Sequence, residues 1–128
     1  MAGVFRFEDL RVWQAARDQC KRVGELLQRP AFKGDRRLRD QMNGCSYSVM
    51  FNISEGFRRG NDGEFDQFLR YAFASNGELK SAYYAAAGRT YLSVSELDSL
   101  IAFNDSISRM IRKLRATLDT RPPPNRSR

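Results

Sequence analysis

Apolar residues recur three or four positions apart in four successive segments of this chain of 128 residues. This spacing places them on one side of a helix, so each segment is predicted to be an amphipathic helix. The predicted helices cover residues 8–28, 35–59, 63–92 and 95–118. No segment shows the alternating pattern of a strand, and short connections between helices favour antiparallel neighbours. The sequence therefore predicts an all-α protein, specifically an antiparallel up-down-up-down four-helix bundle.

Residues that cap or stop helices mark the predicted boundaries. Pro30 is expected to end the first helix, and residues 31–34 are expected to form a loop. The bundle domain is predicted to cover residues 1–119. Residues 120–128 are predicted to be a basic, proline-rich, flexible tail, because successive prolines cannot continue a helix. The predicted N-caps are Asp35 for the second helix, Asn61 or Asp62 for the third, and Ser95 for the fourth.

The second predicted helix is apolar on nearly all sides, yet it contains the polar sequence Asn52-Ile53-Ser54-Glu55-Gly56. Asn52 is either a polar group that fixes helix register or oligomeric state, or a ligand contact. Glu55 is expected to be buried or half-buried and held by an arginine or by Asn and Ser groups. Gly56 is expected to allow close packing of another helix or chain. Glu55 and Glu78 lie at different heights in an antiparallel pair, which argues against a catalytic carboxylate pair.

Histidine is absent from the chain, as are the glycine motifs that bind phosphates or dinucleotides. Without histidine, the chain lacks the most common general base and a frequent metal ligand. We therefore expect no enzymatic activity, no metal and no cofactor. Cys20 and Cys45 stand far apart at apolar helical positions, which is typical of buried, reduced thiols. Because no apolar run approaches about 20 residues and no signal sequence is evident, we expect a cytoplasmic protein that does not enter a membrane.

Basic residues are concentrated toward the C-terminus. Residues 109–128 contain seven basic groups and one acid, and they carry +6 of the formal net charge of +7. Such a segment is typical of proteins that bind acidic partners, most often nucleic acid, but it also suits a solvated tail. Three arginines near the start of the second predicted helix oppose its dipole and form another candidate group. The candidate phosphate-binding residues are Arg36, Arg37, Arg39, Arg112, Lys113, Arg115, Arg121, Arg126 and Arg128.

The second and third predicted helices carry more apolar surface than a four-helix monomer needs. Tyr71, Phe73 and Ala74, for example, lie outside the main apolar stripe of the third helix. Surplus apolar surface favours association, and closed homo-oligomers are the usual result. The alternative is a protein–protein adaptor whose basic groups have no role in nucleic-acid binding.

A series of short motifs runs through residues 7–92 in the order F-x-D-L-x-V-W, Q, N-I-x-E-G, F-x-x-F-L and S-x-x-E-L. Through these motifs the chain resembles the bacterial four helix bundle protein family, also described as ribosomal-RNA intervening-sequence proteins. The matching residues are Phe7, Asp9, Leu10, Val12, Trp13, Ala15, Gln41, Ser48, Asn52, Ile53, Glu55, Gly56, Arg59, Phe65, Phe68, Leu69, Ala72, Ser75, Glu78 and Leu79.

The resemblance implies an antiparallel four-helix bundle that assembles as a ring, commonly a pentamer, without enzymatic activity. Some members are encoded within ribosomal RNA genes, and a related accessory protein of diversity-generating retroelements binds nucleic acid and a reverse transcriptase. This chain has Asn43 where the family usually has a basic residue, which weakens a nucleic-acid contact at that position. We therefore expect a non-enzymatic homo-oligomer, a pentamer by resemblance, that binds RNA or DNA through basic surface groups.

Overall fold

Helices dominate the computed structural model of the protein, which describes residues 3–122. No strand occurs within that range. The prediction of an all-α protein is confirmed, and four long helices correspond to the four predicted ones. The elements are a 3-10 helix at Phe7–Asp9, α1 at Arg11–Leu26, α2 at Pro30–Lys33, α3 at Arg36–Arg58, α4 at Asp62–Gly88 and α5 at Val94–Ala116.

The first long helix begins three residues later than predicted, and Leu10 explains the difference. Leu10 has an extended backbone (φ −73°, ψ 124°) and is only 3% exposed. Its side chain joins the apolar core between the 3-10 helix and α1. Glu8 and Asp9 therefore belong to a separate short turn and not to the first turn of α1.

The loop predicted over residues 31–34 is largely wrong, because Pro30–Lys33 forms the short helix α2. Proline suits the first position of a helix, where its ring presets φ and no N–H is needed. Phe32 of α2 is fully buried, and its ring meets that of Tyr91 edge-on with centroids 5.4 Å apart. Burial of Phe32 holds the connection between α1 and α3 against the bundle.

Side-chain caps define the starts of the three later helices. Asp35 accepts a hydrogen bond from the Leu38 N–H at 3.2 Å, and Asn61 accepts one from the Glu64 N–H at 2.8 Å. The cap at Asp35 was predicted, and Asn61 is one of the two caps that were predicted as alternatives for the third helix. The predicted cap at Ser95 is wrong: Ser93 caps α5, and its side chain and Glu96 form a reciprocal capping box. The helix therefore starts at Val94, within the stretch that looked like a connection.

Contacts of α4 with α3 and with α5 show that the two helices of each pair run in opposite directions. Along α3 and α4, Gln41 contacts Glu78, Ser48 contacts Ser75, and Gly56 faces Phe68, so numbers rise on one helix as they fall on the other. Ion pairs Lys80–Asp105 and Asp66–Arg115 show the same for α4 and α5. The remaining contacts place α1 against both α3 and α5.

The core consists of two apolar clusters at different heights of the bundle. One lies toward the 3-10 helix and includes Trp13, Ile53 and Leu69, and the other lies toward α2 and includes Phe32 and Leu79. A buried group of three side chains separates them and is called the polar layer below. Its members are Gln19 of α1, Asn76 of α4 and Asn104 of α5.

The polar layer is joined by hydrogen bonds between three helices. Gln19 Nε2 donates to Asn76 Oδ1 at 2.9 Å, and Asn104 Nδ2 donates to Gln19 Oε1 at 3.0 Å. Asn76 Nδ2 in turn donates to the Asn104 carbonyl at 2.9 Å and to Ser108 Oγ at 2.8 Å. A buried amide without partners is costly, so this arrangement favours one relative height of α1, α4 and α5.

Candidate functional site

The 3-10 helix, the C-terminus of α3, the N-terminus of α4 and the C-terminus of α5 meet at one end of the bundle. The Asp119 N–H donates to an Asp62 carboxylate oxygen at 2.9 Å, which joins the ends of α4 and α5. Phe7 of the 3-10 helix and Phe57 of α3 line one shallow pocket at this end. This region, formed by residues 5–11, 57–70 and 109–122, is called the basic end below.

The C-terminal group of predicted phosphate-binding residues lies at the basic end, but its members differ in availability. Arg112 and Lys113 are exposed and form no ion pair with a described acidic side chain. Arg115 is half-buried and joins α5 to α4 through Asp66, with Nε 2.7 Å from Oδ1. Arg121 binds the carboxylate of Asp119 at 2.9 Å and thereby lowers the pKa of that acid. Arg126 and Arg128 lie outside the described residues.

Four further cations lie at the basic end, three of them on helices other than α5. Each is exposed and forms no ion pair with a described acidic side chain. None of them is in the predicted candidate set: three lie far from Arg112 along the chain, and the fourth lies one helical turn before it. On α1 and α5, Gln19 contacts Asn104 and Arg22 contacts Ser99, so these helices also run in opposite directions. This packing, with that of α3 on α4 and of α4 on α5, brings the four cations to the same end. They are Arg11 of α1, Arg58 of α3, Arg70 of α4 and Arg109 of α5.

The other candidate group, at the start of α3, lies at the opposite end of the bundle. Because α3 has 23 residues, its ends are separated by roughly 34 Å. Arg36 is near Asp40, with Nε 3.9 Å from Oδ2, and Arg37 is exposed. Arg39 is half-buried, and its Nε has no hydrogen-bond partner among the described residues. The candidate arginines therefore form two separate groups and not one continuous surface.

Gly56 is the residue of the family motif on α3 that packs directly against α4. A Cβ atom added to Gly56 would lie 2.5 Å from Cβ of Phe68, a distance that real Cβ atoms do not adopt. Asn52 is half-buried, and its amide donates to the Ser48 carbonyl at 2.8 Å and to Ser48 Oγ at 3.0 Å. Ser48 Oγ lies 2.7 Å from Ser75 Oγ of α4. Asn52 therefore reaches α4 only through Ser48, whereas Gly56 meets it directly.

The prediction that Glu55 is buried or half-buried is wrong. Its side chain is 54% exposed and forms an ion pair with Arg59, one helical turn later, at 3.1 Å. The position lies on the solvent side of the α3–α4 contact, so the carboxylate keeps its hydration and needs no buried partner. The amide side chains that are fully buried among the described residues are those of the polar layer. The sequence feature that could have indicated this layer is the presence of Asn76 and Asn104 among the apolar residues of the third and fourth predicted helices.

An exposed group of aromatic side chains lies along α3 and α4 and is called the aromatic face below. Tyr47 and Phe51 of α3 stack on each other with centroids 5.6 Å apart, and Phe51 is 57% exposed. Tyr71 of α4 is exposed and meets Phe68 edge-on at 5.7 Å. These exposed rings lie on two neighbouring helices, and exposed aromatic surface of this kind favours a protein contact.

The two thiols are free, and Cys45 is buried beside the α3–α4 contact. Burial raises the pKa of the Cys45 thiol, which keeps it protonated and weakly nucleophilic. Within residues 3–122, no group of three or more His, Cys, Asp or Glu side chains is placed to hold a metal ion. No helix in the same range is long and apolar enough to cross a membrane.

Together these features define an all-helical protein with a cationic end, a separate aromatic face and a buried layer of amides. The chain belongs to the 23S rRNA-intervening sequence protein family, whose sequence model matches residues 8–113. The match extends from the 3-10 helix nearly to the end of α5, and it confirms the family resemblance found in the motifs. No curated protein matches the chain.

Proposed function

We propose that this protein is a non-enzymatic, cytoplasmic homo-oligomer that binds RNA or DNA through the basic end. In this proposal its helices have the up-down-up-down order, and the copies form a ring, a pentamer by family resemblance. The observation that carries the proposal is the group of exposed cations without ion pairs at the basic end. They are Arg11, Arg58, Arg70, Arg109, Arg112 and Lys113.

Cations that lack an acidic partner are available to bind phosphate. Arg115 and Arg121 are less available, because binding a phosphate would compete with Asp66 and Asp119. Each phosphate contact releases a condensed counterion, so binding is expected to weaken steeply with salt. Several copies in a ring would add avidity to individually weak contacts.

The binding test compares the two candidate groups by fluorescence anisotropy with labelled RNA and DNA. The basic-end variant is Arg109→Gln/Arg112→Gln/Lys113→Gln, and it is expected to bind at least tenfold more weakly. The plot of log affinity against log salt concentration is expected to become less steep, its slope falling in magnitude by about 2. The matched control, Lys33→Gln/Arg36→Gln/Arg37→Gln, removes the same charge at the α2 end. A larger loss in the control would place the surface at the start of α3. Absence of any complex at low salt would reject nucleic-acid binding.

The aromatic face supports self-association. Phe51→Asp is expected to lower the oligomer mass measured by light scattering on a size-exclusion column, because it places a charge among exposed rings. Val94→Asp is the matched control, since Val94 is exposed on α5 away from the aromatic face. A monomeric wild-type protein would reject the homo-oligomer.

The same aromatic face also supports the alternative function, an adaptor that docks onto a different protein. A monomeric wild-type protein that recovers a stoichiometric protein partner from nuclease-treated lysate would favour this alternative. Loss of that partner in Phe51→Asp, but not in Val94→Asp, would assign the docking to the aromatic face. Recovery of nucleic acid alone would count against the adaptor.

A further inference from the structure

One aromatic ring lies among cations, away from the aromatic face. Phe73 of α4 is 36% exposed and belongs to neither apolar cluster. It lies on the α5 side of α4, where the Arg112 guanidinium is 6.0 Å from the ring centroid. The core does not need this ring, so its position on the surface calls for another explanation.

Helix geometry groups Phe73 with two other exposed positions of α4. Arg70 is three residues before it and Gly77 is four residues after it, so all three lie on one side of the helix. Nothing lies within 4 Å of a Cβ atom placed on Gly77, so the surface beside the ring is open. A flat group can therefore approach the ring from the side of Gly77.

The neighbouring helix contributes further positive charge. Asn76 bonds to Ser108, which places Arg109 of α5 at the height of the turn that follows Phe73. Arg109 and Arg112 are exposed, and neither forms an ion pair with a described acidic side chain. The ring of Phe73 is thus flanked by Arg70 on its own helix and by two arginines on the next.

We propose that Phe73 stacks on an unpaired base while Arg70, Arg109 and Arg112 bind the adjoining phosphates, so that the protein prefers single-stranded nucleic acid. Every base has an apolar face that stacks on an aromatic ring, so this recognition tolerates different sequences. A duplex hides those faces, whereas its phosphates remain accessible to the arginines. The inference rests on the proposed nucleic-acid binding and specifies its ligand as a single strand.

Tyr84 offers a second ring on the same side of α4. It is 53% exposed and lies eleven residues after Phe73, which corresponds to three helical turns and roughly 16 Å. That distance spans about five nucleotides of a stacked strand. The nearby cation Lys80 is paired with Asp105 at 2.8 Å, so charge is less available around Tyr84. We therefore expect Phe73 to contribute more to binding than Tyr84.

The test measures affinity for a labelled single-stranded RNA of about 16 nucleotides and for the duplex of the same sequence. The wild-type protein is expected to bind the single strand more tightly. Phe73→Leu, which keeps an apolar side chain, is expected to weaken single-strand binding about tenfold and to leave duplex binding unchanged. The control Phe51→Leu removes an exposed ring from the aromatic face and is expected to leave the ratio of the two affinities unchanged.

A second variant tests stacking directly. Phe73→Trp is expected to retain single-strand binding, and its fluorescence is expected to fall when the single strand, but not the duplex, is added. Equal effects of Phe73→Leu on both RNA forms, or no effect on either, would overturn the inference while the proposed function stands. No binding to either form, or to the same sequences as DNA, would reject the proposed function itself. A change in oligomer mass without a change in the affinity ratio would make Phe73 a protein contact and would also overturn the inference.

Discussion

Two sets of polar side chains lie on the helices of this protein, and they differ in burial and in partners. The polar layer is enclosed, and its amides bond between three helices. In the motif on α3, Asn52 bonds within its own helix and Glu55 is exposed beside Arg59. The motif is the more distinctive feature of the sequence, yet the polar layer does more to fix helix positions. The burial of a polar side chain and its hydrogen-bond partners therefore indicate its contribution to the fold better than its place in a sequence motif does.

Replacement of Asn76 by alanine is expected to have the largest effect, a loss of about 3 kcal/mol in the free energy of unfolding. The change removes partners from the buried amides of Gln19 and Asn104. Chemical denaturation followed by circular dichroism measures the loss. The matched control is Asn52→Ala, which is expected to lose less than about 1 kcal/mol because its amide is half-buried and bonds locally. Equal losses of stability in the two variants would show that the polar layer and the motif on α3 contribute equally to the fold.

Gly56→Ala is expected to destabilise the protein by about 2 kcal/mol, because the added Cβ overlaps Phe68 and α3 must move away from α4. Gly77→Ala is the matched control within a helix. Its added Cβ meets nothing within 4 Å, so alanine is expected to stabilise the protein by up to about 1 kcal/mol. Thermal or chemical unfolding of both variants measures whether each substitution raises or lowers the free energy of unfolding. Stabilisation by both substitutions would show that α3 and α4 are not in close contact at Gly56.

The ion pair between Arg29 and Glu96 is expected to contribute less to the free energy of unfolding than the contact at Gly56, and its contribution is expected to depend on pH. The Arg29 side chain and the Ser93 backbone N–H lower the pKa of Glu96 to about 2, while an unfolded glutamate titrates near 4.3. The stabilisation is therefore complete above about pH 4.3 and is lost as the pH falls toward 2. Both side chains are at least one-third exposed, so solvent screening limits the effect to about 1 kcal/mol or less.

Denaturation at about pH 5 and about pH 2.5, compared with Glu96→Gln, isolates this contribution. The glutamine keeps the geometry of the capping box and removes the charge. The stability difference between wild type and variant is expected to shrink at the lower pH. A constant difference would show that the charge of Glu96 does not contribute.

Glu55→Gln is expected to have the smallest effect, below about 0.5 kcal/mol, because its ion pair with Arg59 is exposed. Measurement at low and high salt tests this, since screening should remove most of the difference. A loss above about 1 kcal/mol that persists in high salt would mean that Glu55 becomes buried in the oligomer. Glu55 would then contribute to stability as a buried polar group, as the amides of the polar layer do.

Much of the fold was accessible from the sequence, because helical periodicity and side-chain caps are local. The four long helices, and the caps at Asp35 and Asn61, follow from neighbouring residues alone. The start of α5 was ambiguous because Ser93 and Ser95 are each followed three residues later by an acid. Ser93 is the cap because Val94 and Ser95 already belong to the helix.

The arrangement of the surface was less accessible, because it depends on the relative heights of distant residues. Arg70 and Arg112 are far apart in sequence and reach the same end only through the packing of α4 on α5. Arg115 and Arg112 are equivalent candidates for phosphate binding in the sequence. The fold shows that Arg115 instead forms an ion pair with Asp66. Burial of the polar layer likewise depends on three helices whose asparagines and glutamine meet at one height.

The polar layer has a consequence for the surface beyond its contribution to stability. Phe73 and Arg112 belong to different helices, so the distance between ring and guanidinium depends on how far α5 is shifted along α4. A shift by one helical turn would move Arg112 by about 5.4 Å and would also separate Asn104 from Asn76. The interior amides thus set the spacing of groups on the outside. In the proposed complex, that spacing would set the length of nucleic acid between a stacked base and its neighbouring phosphate.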